Sequence, residues 1–402
     1  MISVEEALDR ILAGLGGPMP AEEVPLTQAL GRVLAEDVTA ALTQPPVAVS
    51  AMDGYALRAA DVAQVPAKLT VIGTAPAGRP FAGSVGAGQA VRIFTGGAVP
   101  EGADAIVIQE DAQVSGDTVT LRETARPGRF VRPAGLDFRA GEVGLAEGKR
   151  LTARDVGLAA AMNRPWLKLR RRPRVAILSS GDELVNPGEA PGPGQIVSSN
   201  AFALAAFVAA EGGEPLMLGI ARDDPADLVR ALAAAEGADL LLTSGGASVG
   251  DHDLIASALE AAGMTLDFWK IAMRPGKPLL HGKLGRMPVL GLPGNPVSSL
   301  VCAIVFLRPA LAALIGCAPH DFEPVEARLG RDLPENDRRQ DYLRSELARA
   351  SEGGLIATPF ERQDSAMLSL LARAGCLVIR PAHAPAARAG EPVPVLRLDG
   401  LI

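Results

Sequence analysis

Between residues 175 and 315, short apolar runs alternate with helical patterns, and this alternation limits the fold more than any other feature of the sequence. The apolar runs predict strands at residues 175–178, 216–220, 238–243 and 289–292. The helical patterns predict helices at residues 201–210, after Asp224-Pro225, at residues 254–262 and beyond Asn295. Strands and helices that alternate at these lengths form a mostly parallel sheet covered on both faces. We therefore expect a central α/β domain.

The rest of the chain has a different pattern, so we expect a multidomain protein of α/β and β parts. Ser3 and Glu6 have the spacing of a capping box ahead of helically spaced apolar residues, which predicts a first helix. Short β-rich runs separated by Gly- and Pro-rich turns follow, and the tail returns to short strands. The predicted domains are a split N-terminal domain at residues 1–44 and 139–172, an inserted β-rich domain at residues 45–138, the α/β domain at residues 173–320 and a compact all-β C-terminal domain at residues 321–402.

The composition excludes several classes of protein. The 402 residues carry a net charge of −7 and 3% aromatic residues, too little positive charge and too few rings for a general nucleic-acid binder. The three cysteines form no C-x-x-C pair, which favours a reduced, cytoplasmic protein without a disulfide framework. The N-terminus is acidic, unlike a signal peptide. The most apolar stretch, residues 297–315, is interrupted by serines, Arg308 and Pro309, so we interpret it as a buried core helix and expect no membrane span.

Glycines, hydroxyls and carboxylates follow each of the four predicted strands. The segments are SSGDE at residues 179–183, RDD at 222–224, SGGASVGDHD at 244–253 and PGNP at 293–296. Ligands of open α/β sheets bind at the carboxyl ends of the strands. Glycines and hydroxyls at a helix start present donors to an anion, and carboxylates suit Mg²⁺. The four segments together predict a site for a phosphorylated or nucleotide-linked substrate and a magnesium ion.

Each of these features, taken alone, also has a purely structural interpretation. Asp224 directly precedes Pro225 and fits a helix cap. Gly245-Gly246 fits a tight turn. Lys270 and the basic run at residues 274–278 fit a surface loop.

Several common catalytic and nucleotide-binding motifs are absent from the sequence, and one is matched. Residues 246–250 match the G-x-S-x-G nucleophile elbow, which would make Ser248 the nucleophile of a hydrolase. The additional Ser244-Gly245 before the motif and the acidic residues after it fit an elbow poorly. Gly276-Lys277 is followed by Pro278 and so forms no P-loop. The four histidines lack metal-ligand spacing, and we interpret them as surface or hydrogen-bonded loop residues: His252, His281, His320 and His383.

Six ordered motifs resemble the molybdopterin molybdenumtransferase family of the MoeA type, to which the E domain of gephyrin is related. They are SAMDGYA at residues 50–56, RIFTGGAVP at 92–100, SGDEL at 180–184, TSGGASVG at 243–250, MRPGKP at 273–278 and GLPGNPVS at 291–298. The resemblance runs along nearly the whole chain.

The resemblance implies a reaction and an architecture. Family members insert molybdate at the two sulfurs of adenylylated molybdopterin and release AMP in a Mg²⁺-dependent step. They are elongated homodimers with an active cleft shared between subunits. Each chain has a MogA-like three-layer α/β domain, an inserted β-rich domain and a C-terminal β-barrel. The implied partners are the molybdopterin adenylyltransferase and the molybdoenzymes that receive the cofactor.

The resemblance also implies roles for individual residues. The acids at the family's catalytic positions are Asp53, Asp137, Glu183, Asp223 and Asp253, of which all but Asp137 are candidate Mg²⁺ ligands, with Asp182 beside them. The cations that would hold molybdate and the terminal phosphate are Arg132, Lys270, Arg274 and Arg344, and Lys277 is a further substrate-binding position. The other substrate-binding positions are Thr95, Gly245, Gly246, Ser248, Pro293, Pro296, Ser298 and Ser365.

This sequence departs from the family pattern in places. Arg274 stands where some relatives carry lysine, and residues 130–137, which hold Arg132 and Asp137, are poorer in arginine than usual. The resemblance leaves open a non-catalytic molybdopterin-binding scaffold of the gephyrin type. It also does not separate molybdate from tungstate, since both are tetrahedral dianions of similar size.

Overall fold

A computed structural model of the chain describes residues 1–245, 254–318, 323–351 and 353–398. The chain divides into two compact units. The first comprises residues 1–22, 31–35 and 169–402, and the second comprises residues 23–30 and 36–168. The boundaries of the four sequence-derived domains stay a prediction.

The helices of the described residues are short, apart from one composite helix near residue 300. The α-helices are α1 Val4–Gly14, α2 Ala153–Ala161, α3 Asn200–Ala210, α4 Pro225–Ala233, α5 Leu254–Ala261, α6 Pro296–Cys302, α7 Arg308–Ile315 and α8 Leu368–Arg373. A π-helical turn, Ala303–Leu307, joins α6 to α7, and single 3₁₀ turns form at Leu26–Gln28, Ala59–Val62 and Gln109–Asp111.

The strands are numbered along the chain. They are β1 Ala21–Pro25, β2 Val38–Thr39, β3 Val49–Ser50, β4 Gly54–Leu57, β5 Ala67–Ala75, β6 Gln89–Ile93, β7 Ala105–Ile108, β8 Ala112–Ser115, β9 Thr118–Leu121, β10 Val131–Arg132, β11 Val143–Leu145, β12 Trp166–Arg170, β13 Arg174–Ser180, β14 Leu184–Val185, β15 Ile196–Val197, β16 Glu214–Ala221, β17 Leu240–Ser244, β18 Met264–Trp269, β19 Met273–Arg274, β20 Leu280–Leu284, β21 Met287–Leu292, β22 Val325–Leu329, β23 Gln340–Arg349, β24 Leu355–Pro359, β25 Cys376–Arg380 and β26 Pro392–Arg397.

The first unit contains the expected mostly parallel sheet, in the strand order β16-β13-β17-β21-β20-β18. The first four of these strands run parallel to one another. The antiparallel strands β20 and β18 extend one edge. The predicted parallel strands and their helices are confirmed, whereas the two antiparallel strands β20 and β18 were not predicted.

Helices cover both faces of this sheet and give it three layers. On β13, Val175 and Ile177 pack towards α1, α3, α6 and α7, and Ala176 and Leu178 pack towards α4 and α5. The composite helix Pro296–Ile315 is long and apolar enough to cross a membrane, but 94% of its most apolar window is buried inside the protein. It is a core helix, as predicted from its sequence.

Two predicted helix starts show the hydrogen bonds that the sequence indicates. Ser3 Oγ accepts from the amide of Glu6 at 3.0 Å and caps α1. Asp224 Oδ1 accepts from the amide of Asp227 at 3.0 Å and caps α4, which has Pro225 as its first residue. The interpretation of Asp224 as a helix cap is therefore confirmed.

The second unit contains a six-stranded sheet in the order β7-β4-β6-β5-β9-β8. All its neighbouring strands are antiparallel except β5 and β6. Its two apolar clusters are centred on Tyr55 and Leu57 on one face and on Ala56 and Ile93 on the other, as the alternation of side chains along a strand requires. The β-rich character predicted for residues 45–138 is confirmed.

The C-terminal region closes into a five-stranded barrel. The order is β23-β24-β22-β26-β25, and β25 pairs back with β23, while β19 adds to the outer side of β23. The prediction of an all-β tail is wrong in one detail, because α8 lies between β24 and β25. Its Leu371 is buried in the apolar cluster that also holds Leu377 and Leu396 of the barrel.

Candidate functional site

The carboxyl ends of β13, β17 and β21 open into a cavity of about 550 Å³. Five residues of the sequence-derived site line it: Glu183, Gly245, Pro293, Pro296 and Ser298. The loops after these strands meet there because adjacent parallel strands end at the same edge of a sheet. Among the described lining residues, Glu183 is the one with an ionisable side chain.

Hydroxyl and amide groups form much of the rest of the wall. Lining serines and asparagines are Ser179, Ser180, Ser198, Ser199, Ser244, Ser298, Asn200 and Asn295. The hydroxyls of Ser179 and Ser180 are buried and find no hydrogen-bond partner among the described residues. Buried polar groups are normally hydrogen-bonded, so both hydroxyls need a partner that the described residues do not supply.

Gly245 is required by its close contact with the neighbouring strand. It has a φ of +101°, and a Cβ atom there would lie 2.4 Å from the carbonyl oxygen of Ser180. Any side chain would collide with this backbone atom and push the β17 end away from the β13 end. The glycine thus does more than allow a turn, since it lets the two strand ends approach each other.

Asn200, the first residue of α3, ties two strand ends together. Its Nδ2 donates to Ser244 Oγ at 2.8 Å and to the carbonyl oxygen of Gly294 at 2.8 Å. A second asparagine, Asn295, donates to Ser365 Oγ at 2.9 Å, and the carbonyl of Ser365 accepts from the amide of Val297 at 3.1 Å. Ser365 thereby lies beside the first turn of α6.

Two further carboxylates lie near the strand ends. Asp182 Oδ1 accepts a hydrogen bond from the backbone amide of Asp223 at 3.3 Å, which joins the loop after β13 to the loop after β16. Both side chains are exposed. Glu183 follows Asp182 and lies on the cavity wall, so these acids occupy the same edge of the sheet.

The predicted cations Lys270, Arg274 and Lys277 all lie on the connection between β18 and β20. Lys270 has a φ of +81°, and its Nζ lies 4.4 Å from the centre of the Trp269 ring. Arg274 Nε donates to Asp341 Oδ1 at 2.9 Å, and its Nη1 lies 3.4 Å from Asp337 Oδ2. The connection is half-buried and tied to the barrel through Arg274, rather than a freely solvated basic loop.

Arg344 is fully buried in the barrel. Its Nε donates to Gln363 Oε1 at 3.2 Å, and its Nη1 donates to the carbonyl of Asp364 at 2.7 Å. Its Nη2 has no partner among the described residues. Burial lowers the pKa of this guanidinium, and the Asp364 carboxylate opposes the shift. These bonds hold the segment that leads to Ser365.

In the second unit, Asp53 and Thr95 are hydrogen-bonded to each other. The amide and the hydroxyl of Thr95 donate to Asp53 Oδ1 at 2.7 and 2.8 Å. The amide bond, then the hydroxyl bond, lower the pKa of Asp53 below its usual value, and Arg92 adds a smaller effect. Arg132 and Asp137 line a different cavity of about 610 Å³ in this unit.

Three predicted site residues, Gly246, Ser248 and Asp253, lie outside the described residues, so the nucleophile-elbow alternative stays untested. His252 and His320 also lie outside them. The interpretation of His281 is wrong, because this residue is buried within β20, with Nδ1 3.1 Å from Asp267 Oδ2. Burial lowers its pKa, while Asp267 acts in the opposite direction. His383 is an exposed loop residue, as expected.

Sequence reasoning did not single out Ser179 and Asn295, although both lie in the strand-end segments from which it predicted the site. It missed Asn200 altogether. No local signal marks Asn200, since its partners Ser244 and Gly294 are far away in sequence.

Comparison with known families matches three successive parts of the chain. Residues 2–163 match the MoeA N-terminal region (domain I and II), residues 176–313 match a probable molybdopterin binding domain, and residues 326–398 match the MoeA C-terminal region (domain IV).

Similar proteins cover most or all of the chain. A molybdopterin molybdenumtransferase of Haemophilus influenzae is 35% identical, covering 100% of both chains. One from Nostoc sp. is 40% identical over 80% of this chain and 76% of its own. Among solved structures, a molybdopterin biosynthesis MoeA protein from Pyrococcus horikoshii has a TM-score of 0.87 and 32% identity, covering 99% of each chain.

Proposed function

The chain belongs to the MoeA family of molybdopterin molybdenumtransferases, and on this premise we propose that it inserts molybdate into adenylylated molybdopterin with release of AMP. Like its relatives, it is a transferase of molybdenum cofactor biosynthesis. The observation that carries the finer proposal is the strand-end cavity, where Glu183 faces a wall of hydroxyl and amide groups. Such a wall suits a polyanionic substrate whose charge is shared with a cation.

Neutral donors hold the substrate in this proposal. The hydroxyls of Ser179 and Ser180 lack partners among the described residues, and phosphate or molybdate oxygens would supply the missing acceptors. Asn200 fixes Ser244 and Gly294 on the same wall, so the donors are oriented before the ligand arrives. Preorganised donors stabilise developing negative charge without having to rearrange during the reaction.

The cations act from the β18–β20 connection and the barrel. Lys270 and Lys277 are candidates to hold molybdate or the terminal phosphate. Arg274 is already bonded to Asp341, and Arg344 to Gln363 and Asp364, so part of their role is to fix the segments that carry them. No nucleophile of the chain is needed, because the two sulfurs of the substrate bind molybdenum themselves.

The residues present fit a magnesium ion that is shared with the substrate. Mg²⁺ usually takes one or two carboxylates and completes its shell with phosphate oxygens and water. Glu183 and Asp223 supply such carboxylates at the strand ends, with Asp53 and Asp253 as the other proposed ligands. Among the described residues, no group of three or more potential ligands is close enough to hold a metal by itself. When bound, the ion would neutralise charge on the departing AMP.

We further propose a cytoplasmic homodimer with an active cleft shared between subunits. In that arrangement Asp53, Thr95, Arg132 and Asp137 of the second unit would contribute to the cleft. The molybdopterin adenylyltransferase would supply the substrate, and recipient molybdoenzymes would take the product. The homodimer, the shared cleft, the localisation and these partners are proposed from the family relationship.

The test is AMP release by the purified protein with adenylylated molybdopterin, molybdate and Mg²⁺. We expect Glu183→Gln to slow the release about 100-fold, the effect of removing one preorganised charged group. Glu236→Gln is the matched control, since Glu236 is an exposed acid near the end of α4, away from the cavity. Equal rates for wild type and Glu183→Gln would refute the role of Glu183.

Two variations of the assay separate the remaining alternatives. Tight binding of molybdopterin with no AMP release would show a non-catalytic scaffold of the gephyrin E-domain type. Replacing molybdate with tungstate compares the two oxyanions in the same reaction.

A further inference from the structure

Three strand ends of the second unit meet at Asp53. Strand β4 lies between β6 and β7 and is antiparallel to both, so Gly54 is paired with Ile93 on one side and with Ile108 on the other. Asp53, directly before β4, therefore lies beside the residues that follow β6 and β7. Thr95 donates to its carboxylate, and the amide of Gln109 donates to its carbonyl oxygen at 3.1 Å.

Arg92 connects these three strand ends. Its Nη1 donates to the carbonyl oxygen of Gly54 at 3.1 Å, and its Nη2 donates to Gln109 Oε1 at 2.5 Å. Its guanidinium carbon lies 5.1 Å from the centre of the Tyr55 ring and 4.9 Å from that of Phe94. Two rings and two acceptors fix a planar guanidinium in one orientation, which a flexible lysine ammonium cannot reproduce.

The backbone at this point has no room to adjust. A Cβ atom at Gly54 would lie 2.1 Å from the carbonyl oxygen of Val107. With β4 and β7 in such close contact, a shift of the guanidinium would move the Gly54–Tyr55 peptide, whose carbonyl it binds, and the Gln109 side chain together. Arg92 is thus linked to Asp53 through Gly54 and Gln109, since the described residues show no direct hydrogen bond between the two side chains.

We propose that Arg92, together with Gln109, is a positioning residue that holds the Asp53 carboxylate and Thr95 in their working geometry. This inference rests on the proposed function, in which Asp53 takes part in molybdate insertion. The guanidinium acts through Asp53, and its two named donors face the protein rather than the substrate.

A double-mutant cycle tests whether Arg92 acts through Asp53. Arg92→Met keeps the length of the side chain and removes the charge and both donors. We expect it to lower kcat for AMP release about 10-fold to 100-fold in the wild-type background, as loss of a residue that orients a catalytic ligand does. In the Asp53→Asn background it should lower kcat less than about threefold, because residues acting as one unit are not additive.

The same measurements can overturn the proposal. They do so if Arg92→Met lowers kcat by the same factor in the wild-type and Asp53→Asn backgrounds. A rise in KM with unchanged kcat would also overturn it, because that result would mark Arg92 as a substrate-binding cation. Gln109→Leu should repeat the kcat loss of Arg92→Met in part. Arg122→Met is the matched control and should leave kcat unchanged, since Arg122, directly after β9, makes a similar bond at 2.9 Å to Gln113 Oε1 of β8.

A readout independent of activity distinguishes this inference from the proposed function. Hydrogen exchange at the Thr95 amide reports the bond to Asp53. We expect Arg92→Met, and not Arg122→Met, to speed exchange of the segment around Thr95 at least about tenfold, because the amide loses a fixed acceptor. Unchanged exchange would refute the positioning role, whereas a wild type that releases no AMP would refute the proposed function alone.

Discussion

Thr95 donates two hydrogen bonds, one from its amide and one from its hydroxyl, to the same carboxylate oxygen of Asp53, at 2.7 and 2.8 Å. Donors directed at one oxygen favour the ionised form of a carboxyl group. They hold the pKa of Asp53 below its usual value, with the amide bond contributing most. Asp53 therefore stays a carboxylate to a lower pH than a free aspartate.

Thr95→Val should move the acid limb of the pH profile of AMP release to higher pH. The variant keeps the amide bond and the shape of the side chain but removes the hydroxyl donor, so the pKa of Asp53 rises and protonation begins at a higher pH. Thr95→Ser keeps the donor and should leave the limb in place. The measurement is kcat/KM against pH for the three proteins, and an unmoved limb in Thr95→Val would show that Asp53 does not set it.

The central strands could be predicted from sequence because burial on both faces leaves a distinct pattern. Each of the parallel strands β13, β17 and β21 is an almost continuous apolar run, as expected for strands covered on both faces. The edge strand β18 mixes Thr265 and Asp267 with apolar residues and is largely exposed, so it carries no such pattern. Its assignment depends on pairing with β20, which a single sequence does not display.

Some site residues could also be predicted from the sequence, and others could not. Glu183 and Pro293 could be predicted because each lies within three residues after the end of an apolar strand, and ligands bind at that edge of a parallel sheet. Asn200 and Arg92 act through long-range contacts, with partners on other loops or strands. Only the folded chain brings those groups within hydrogen-bond distance.

Asn200→Leu should lower both the catalytic efficiency and the stability of the protein. The variant removes the donor shared by Ser244 Oγ and the carbonyl of Gly294, leaving two acceptors near the cavity without it. We expect a free energy of unfolding lower by about 1–3 kcal/mol and a kcat/KM at least about tenfold lower. Asn186→Leu is the control, because Asn186 is hydrogen-bonded to Glu189 within an exposed loop and should change neither quantity. Wild-type kcat/KM in Asn200→Leu would contradict the ordering role of the amide.

Gly245→Ala should be strongly destabilising. The added methyl group would lie 2.4 Å from the carbonyl of Ser180, in a backbone conformation that alanine also disfavours. Gly237→Ala separates these two causes, since Gly237 has a φ of +79° but its Cβ would meet nothing nearer than 3.7 Å. We expect a loss of about 1–2 kcal/mol for Gly237→Ala and a clearly larger loss for Gly245→Ala in urea unfolding. Equal losses would mean that the β13 and β17 ends can separate without cost.

The buried ion pair between Glu211 and Arg308 should contribute less to stability than the losses of its two single variants suggest when added. Arg308 Nε donates to Glu211 Oε1 at 2.8 Å, and its guanidinium lies 5.5 Å from the centre of the Phe207 ring. Arg308→Met removes the positive charge beside a buried carboxyl group, so we expect a loss of about 3–5 kcal/mol in the free energy of unfolding. The double variant Glu211→Gln/Arg308→Met should lose less stability than the sum of the two single variants. This is because Glu211→Gln removes the carboxylate that Arg308→Met leaves without its cation. Urea unfolding of the four proteins measures the coupling, and strictly additive losses would show that the two side chains contribute independently.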